Sequence, residues 1–245
     1  TPVTAFMASA TKVAAFGAML RIFYVALGDY EWNWRPLFWA VVIATIVVGS
    51  ILAITQTDIK RMLAYSSVAQ AGFILTGVTA ASTAGLSSTM FYLLVYGFAT
   101  IGAFALITLV RDGTSEATHL SRWAGLGRRA PLVAGVMSLF LLSFAGIPLT
   151  SGFIGKFMVF DAAIDGGAWP LVVVGAVFSA VAAFFYVRVI VLMYFSEPPD
   201  DAPTVAVPSA WTTLAIAIAA AATIAMGVVP GPVIDLVQEA AAFVR

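Results

Sequence analysis

Hydrophobic positions run along this chain in long blocks, interrupted at intervals by short polar clusters. Crossing a hydrocarbon core takes a run of about 19 to 20 apolar residues in a helix. On that measure the pattern predicts seven spans, approximately Thr4 to Leu27, Leu37 to Thr55, Met62 to Ala80, Ser88 to Val110, Pro131 to Ile164, Trp169 to Phe195 and Ala210 to Val228. The tail from Pro232 to Arg245 has another pattern. Val233, Leu236, Val237, Ala240 and Val244 fall near one helical face, with Asp235, Gln238 and Glu239 elsewhere, which predicts a short interfacial helix.

The fifth block is too long for one crossing. From Ala130 to Asp165 a continuous helix would measure roughly 50 Å at about 1.5 Å per residue, against a core of about 30 Å. Within it lies Gly146-Ile147-Pro148. Proline has no amide proton and its ring clashes with the preceding turn, so a break is predicted around Ile147 to Gly152. Thr150 and Ser151 are placed to bond backbone groups that the break releases, and Gly152 and Gly155 allow close packing there. Lys156 follows about one turn later, at membrane depth.

Composition fits the pattern and narrows it. The chain is 62% hydrophobic and 10% charged, with a mean hydropathy of +1.02, whereas soluble domains carry about 25% charged residues. The predicted class is an all-α polytopic membrane protein with about seven transmembrane helices, one of them broken. Its net charge is zero, so there is no basic footprint for nucleic acid. Without cysteine it has no disulfide, thiolate or iron–sulfur ligation, and one histidine, His119, is too little for a metal site. No cofactor is expected on this chain. The opening TPVTAF leads straight into an apolar helix with no signal-peptide n-region before it, and the expectation is that the chain is the C-terminal part of a longer protein.

Lys and Arg positions predict the orientation. Lys60, Arg61, Arg111, Arg122, Arg128 and Arg129 fall in the loops after the second and fourth spans, and only Arg35 and Arg245 on the other side. By the positive-inside rule the loops 56–61, 111–130 and 196–208 are cytoplasmic and the C-terminus lies outside. Trp32, Trp34, Trp39 and Trp169 then occupy an outer aromatic belt, while Arg21 and Arg188 lie close enough to span ends to snorkel to headgroups. Asp58, Lys60 and Arg61 stand at a helix junction and read as solvated or headgroup-bound.

Two lysines carry the candidate chemistry. Lys12 lies a third to half of the way through the first span, too deep to snorkel easily, and Lys156 is its counterpart beside the break. An ammonium at the membrane centre costs at least about 2.5 to 3.5 kcal/mol. It is retained there with a partner, with water, or as a group that exchanges a proton; a permanent ion pair is the structural alternative. Asp161, five residues after Lys156, is roughly 140° away around a helix and so meets another helix or the interface. In the third span Ser66 and Gln70 form an i, i+4 pair beside Tyr65 and Ser67, and in the fourth Tyr92, Tyr96 and Thr100 recur every fourth residue. These groups predict a hydrated polar path between the lysines, although helix–helix hydrogen bonding accounts for them equally well. Val13-Ala14-Ala15-Phe16 recurs as Val181-Ala182-Ala183-Phe184, followed by Arg21 and Arg188 respectively; on this alignment Ala180 stands where Lys12 does.

Four stretches carry a family resemblance: TPVTAFMASATKVAAFGAMLRIF, QTDIKRMLAYSSVAQAGFIL, RWAGLGRRAP and SFAGIPLTSGFIGKF. They resemble the C-terminal half of the antiporter-like membrane subunits of proton-pumping NADH:quinone oxidoreductase, respiratory complex I. Within that group the lysine in GFIGKF makes the pattern most similar to subunit N. The resemblance implies that Lys12 and Lys156 transfer protons; beside them Ser66, Gln70, Tyr92, Tyr96, Thr150 and Ser151 read as the supporting polar path and Pro148 and Gly152 as the break. It implies three parts: residues 1–27, the last helix of a preceding repeat unit; residues 37–195, a five-helix antiporter-like repeat unit with its broken helix at 131–164; and residues 209–245, a final helix and tail. One departure stands out: where many relatives have histidine in an SSxxHxG pattern, this chain has Gln70, which carries no titrating proton.

The implied setting is a bacterial plasma membrane, with the other membrane subunits of the complex, lipid, protons and internal water as partners, and redox chemistry on other subunits. A subunit of a multisubunit cation/proton antiporter or of a membrane-bound hydrogenase shares this ancestry, and a non-transporting membrane scaffold is the reading from a different class.

Overall fold

The computed structural model describes residues 1–244, with side chains as far as Ala242. Ten α-helices follow in order: α1 Pro2–Arg21, α2 Glu31–Ile54, α3 Ile59–Val78, α4 Thr83–Ile107, α5 Leu126–Arg129, α6 Pro131–Ala145, α7 Ser151–Asp165, α8 Trp169–Phe195, α9 Ala210–Val228 and α10 Gly231–Val244. Local chemistry sets several of their starts. Asp58, Ser82 and Ser209 accept the amide protons of Arg61, Gly85 and Thr212 as N-caps, and Pro2 and Pro131 occupy first-turn positions where no amide donor is needed.

Five helical stretches among the described residues are long and apolar enough to cross a membrane: Pro2–Ala26, Gly28–Ile54, Thr83–Ile107, Trp169–Phe195 and Ala210–Val228. α3 is less apolar, because it carries Lys60, Arg61, Ser66, Ser67 and Gln70. The long fifth block is folded as two helices of 15 residues each, α6 and α7. Bulky apolar side chains such as Phe157, Phe184 and Val177 face outward, whereas Ser66, Gln70 and Lys156 are buried. That inversion of the soluble pattern is what a lipid surroundings selects.

The expected cytoplasmic loops meet at one end of the bundle. The Ile59 amide donates to Thr118 O, the Leu120 amide to Thr57 O and the Ala206 amide to Leu109 O, each at 2.7 Å. Three short strands, β1 Val110–Asp112, β2 Ser115–Glu116 and β3 Thr204–Val205, form an antiparallel sheet in the order β2-β1-β3, a small departure from an all-helical chain. Arg122 bridges the Asp112 and Asp201 carboxylates across this cap. Lys60 is not solvated as expected but paired with Glu116, and Asp58 is held in place as the cap of α3. Burial alone would raise the Glu116 carboxyl; hydrogen bonds from Lys60 and Thr1 outweigh it and hold it below the ordinary carboxylate range.

At the opposite end Arg35 Nη2 donates to Gly166 O at 2.5 Å, joining the start of α2 to the end of α7. Trp34 is not in an exposed belt: it is 7% exposed, its indole donates to Leu27 O, and its ring packs edge-on against Phe23 and Phe38. Trp32 and Trp169 do face outward. In α10, Leu236 is 61% exposed, and Val237 and Ala241 take the buried face, because the helix packs against α4. Two expectations, the Val244 side chain on the apolar face and Arg245 as an outer-side charge, lie outside the described residues.

Candidate proton-relay site

α6 ends in a turn that explains the lysine beside it. Gly146 takes φ +80°, a left-handed conformation that favours glycine. The amides of Gly146 and Ile147 fold back onto the Leu142 and Ser143 carbonyls, an arrangement that stops a helix while satisfying two of its last acceptors. The next carbonyls in line, Phe144 and Ala145, have no such amide partner. Lys156 Nζ donates to both at 3.0 Å, and to Ser179 Oγ on α8 at 2.9 Å. A cation at the negative end of a helix dipole is favourably placed.

α7 reaches this position because it starts against the end of α6. The Gly152 amide donates to Ser143 Oγ at 3.1 Å, and a Cβ on Gly152 would stand 1.9 Å from Ser143 O. On the other side, Gly227 of α9 lies against the backbone of Leu149, Thr150 and Ser151. The break residues behave differently from expectation. Thr150 Oγ1 donates back to Ile147 O at 2.7 Å, but Ser151 Oγ is buried with no hydrogen-bond partner among the described residues, and Ser143 does the work foreseen for it. The linker itself is residues 146–150.

Gln70 is the hub of the buried polar groups. Its Nε2 donates to Phe144 O at 2.9 Å, the carbonyl shared with Lys156, and to Tyr186 OH at 3.3 Å. Its Oε1 accepts from Tyr92 OH at 2.6 Å. Ser66 and Tyr186 share a hydroxyl–hydroxyl hydrogen bond, so the i, i+4 pair on α3 converges on one phenol. A chain of direct contacts thus runs from Ser66 through Tyr186, Gln70 and Phe144 O to Lys156, with Tyr92 as a branch.

Lys12 forms a second cluster. Its Nζ donates to Ser67 O at 2.7 Å, to Ser67 Oγ at 2.6 Å and to Tyr96 OH at 3.5 Å, and sits 4.6 Å from the Tyr96 ring centroid. Between the clusters stands the Phe144 ring, 5.9 Å from Tyr96 and 5.8 Å from Tyr186, centroid to centroid. Thr100, expected in line with Tyr92 and Tyr96, is buried with its hydroxyl unpartnered among the described residues. Among the described residues no carboxylate lies within ion-pair distance of either lysine; the ion pairs present are those of Lys60 and Arg122.

Tyr186, Ser143 and Ser179 were not singled out from the sequence. Tyr186 lies inside the run FFYVR, where nothing in the spacing marks a phenol aimed inward, and Ser143 and Ser179 are lone serines in apolar helices. The two carbonyls that hold Lys156 are backbone groups, which composition cannot mark at all.

The chain as a whole is similar to known proteins. The model of the family described as NADH:quinone oxidoreductase/Mrp antiporter, TM, matches residues 1–182. The chain belongs to this family. NADH-quinone oxidoreductase subunit N of Rhodococcus opacus is 68% identical across the whole chain, which corresponds to 45% of that protein. Subunit N 3 of Streptomyces griseus is 66% identical across the whole chain and 44% of its own length. The chain spans about half the length of these curated relatives.

Solved structures share the fold. Respiratory complex I from Thermus thermophilus with bound aureothin contains a chain 31% identical, with a TM-score of 0.72 over 82% of this chain and 45% of that one. A membrane-bound sulfane sulfur reductase, an archaeal respiratory membrane complex, matches at 27% identity and TM-score 0.84 over 99% and 49%. The Mrp complex of Dietzia shares the fold at TM-score 0.82 and 24% identity, over 95% of this chain and 51% of that one. As a member of the NADH:quinone oxidoreductase/Mrp antiporter family, the chain is a multi-pass membrane protein.

Proposed function

We propose that this chain is part of a proton-translocating membrane subunit of NADH:quinone oxidoreductase, and that Lys12 and Lys156 are its proton-carrying groups. The observation that carries the proposal is the setting of Lys156. It is buried, held by two main-chain carbonyls and a serine hydroxyl, and has no counter-ion within reach among the described residues. A lysine that served only as a scaffold would be locked to a carboxylate, because an unpaired ammonium in hydrocarbon is costly. Neutral partners leave it free to give up its proton and take it back.

Ser66, Gln70, Tyr92, Tyr96 and Tyr186, with water, supply the path between the lysines. Gln70 itself holds no proton; it orients Tyr92 and Tyr186 and shares Phe144 O with Lys156. In this reading the bundle crosses the membrane seven times, with α6 and α7 as the two halves of a broken span and α3 as the most polar crossing. Residues 1–27 close a preceding repeat unit, 37–195 form a five-helix unit, and 209–245 complete the chain as the C-terminal half of the subunit. The sheet cap faces the cytoplasm of a bacterial cell, since six of the basic residues lie in or beside it. Redox energy arrives from other subunits, and the remaining membrane subunits and lipid are its neighbours.

The fold is shared with an Mrp complex, but relatives 57% to 68% identical over the whole chain are subunit N proteins, which favours the oxidoreductase. The test is Lys12→Ala and Lys156→Ala in the full-length protein within its assembled complex. Both variants are expected to assemble and to lose proton pumping and coupled quinone reduction; full activity in both removes the proposal.

A further inference from the structure

At the end of the bundle away from the sheet cap, the first turns of α2 and the residues after α7 border an open groove of about 530 Å³. Glu31, Trp32, Arg35, Pro36 and Trp39 line it from α2, and Gly166 from the other side. Opposite charges four residues apart on a helix ordinarily pair. Glu31 and Arg35 do not: the guanidinium is turned to Gly166 O, which takes one of its five N–H donors, and Glu31 makes no ion pair among the described residues. Pro36 adds an acceptor. Having no amide proton, it leaves the Trp32 carbonyl without its usual helical partner four residues on.

The groove has an order along α2. Glu31, Arg35, Trp39 and Ile43 follow one another every four residues, each about 6 Å further into the bundle at about 1.5 Å per residue. From the helix start inward the row reads carboxylate, guanidinium, indole and then an aliphatic side chain that is 38% exposed. A phospholipid with an amine headgroup presents the complementary order: ammonium outermost, then phosphate, then glycerol and acyl chains. Trp32, 86% exposed, stands beside Glu31, and an indole face attracts a cation. Asp29 and Asp165, close in the chain to the groove-lining residues, are acidic too, so a headgroup of net negative charge meets repulsion there.

We infer that this groove binds one zwitterionic aminophospholipid, of the phosphatidylethanolamine class. Its phosphate accepts from the remaining N–H donors of Arg35. Its primary ammonium donates to the Glu31 carboxylate and the Trp32 carbonyl, two acceptors to which a quaternary ammonium has no N–H to offer. The glycerol region lies against Trp39, since an indole suits the boundary between headgroup and hydrocarbon, and an acyl chain runs on past Ile43. Bound there, the lipid bridges α2 and the end of α7 beside the Arg35–Gly166 hydrogen bond.

The test places a photoreactive benzophenone side chain at the position of Ile43, in the full-length subunit within its complex, in nanodiscs of equal parts phosphatidylethanolamine and phosphatidylglycerol. After irradiation, mass spectrometry of the α2 peptide should find phosphatidylethanolamine adducts at least two-fold above phosphatidylglycerol adducts. Glu31→Gln should remove that preference, and Arg35→Gln should lower both adducts at least two-fold. Because Arg35→Gln also breaks the bond to Gly166 O, Glu31→Gln carries the test of selectivity. Equal adducts in the otherwise native subunit, an excess of phosphatidylglycerol, an unchanged ratio in Glu31→Gln, or cross-links to another subunit in place of lipid would each overturn the inference.

Discussion

Gly152→Ala is the sharpest structural test of how Lys156 is held. The added Cβ would stand 1.9 Å from the Ser143 carbonyl oxygen, 2.7 Å from its carbon and 2.9 Å from Ser143 Oγ. Two of those atoms are backbone in a buried helix end, so no rotamer change relieves the contact. Restoring an ordinary carbon–oxygen separation of about 3.3 Å means moving the start of α7 from the end of α6 by about 1.4 Å. That motion breaks the Gly152 amide bond to Ser143 Oγ. It also carries Lys156, one turn on, from 3.0 Å toward about 4.4 Å from the Phe144 and Ala145 carbonyls, past hydrogen-bonding reach. Overpacking of about 1–3 kcal/mol and at least one buried acceptor left unpaired, again about 1–3 kcal/mol, set the cost at no less than about 2 kcal/mol. At about 2–4 °C per kcal/mol for a chain of this size, thermal melting of the detergent-solubilised subunit should show a midpoint lower by at least about 4 °C. Proton pumping should fall with it. Gly97→Ala is the control: a Cβ there meets nothing within 4 Å, and in a helix interior the change should be neutral or stabilising. An unshifted midpoint and native pumping in Gly152→Ala would refute the close approach of the two helix ends as the device that positions the lysine.

Other outcomes follow from the same contacts. Gln70→Leu strands Tyr92 OH and removes one donor from Phe144 O, costing about 1–3 kcal/mol in denaturation and slowing pumping; Gln70→His, which can donate with one ring nitrogen and accept with the other, should keep most of both. Tyr186→Phe removes the phenol shared by Ser66 and Gln70, and should slow pumping with a stability loss of only about 1 kcal/mol, measured on the same two assays. Acid should loosen the sheet cap before the bundle. Glu116 and Asp201 are held below their ordinary values, Asp201 first by its hydrogen bond from Arg122, so their contribution is full above about pH 4, the unfolded range, and is lost as pH falls through the lower folded values. Amide exchange of Val110 and Ala117 should rise over that acid window in hydrogen-exchange mass spectrometry, and Lys60→Met should move the onset upward.

What was legible in the sequence was what proline, glycine and charge announce. Pro148 and Gly146 mark the end of α6, and Lys12 and Lys156 stand out because hydrocarbon makes a lysine costly. The Ser66–Gln70 spacing places both side chains on one face of α3, and the structure turns that face toward Tyr186. What was not legible depends on how the helices are rotated and seated. Trp34 reads as a belt residue from its neighbours, yet α2 is turned so that it packs on Phe23 and Phe38. Counting puts Leu236 and Val237 on one apolar face of α10, but only the seating of α10 on α4 selects Val237 and Ala241 as the residues that pack. Ser67, rather than Ser66, reaches Lys12, a choice fixed by where α1 crosses α3. Lys60 looks solvated until the chain brings Glu116 back to it from another loop.

The most direct test of the central claim is proton translocation by the reconstituted full-length complex with Lys156→Met, compared with native at equal complex content. Methionine keeps much of the side chain's bulk and removes the exchangeable proton. The account predicts an assembled complex whose NADH-driven acidification and coupled quinone reduction are lost; an assembled complex that acidifies at the native rate would contradict it.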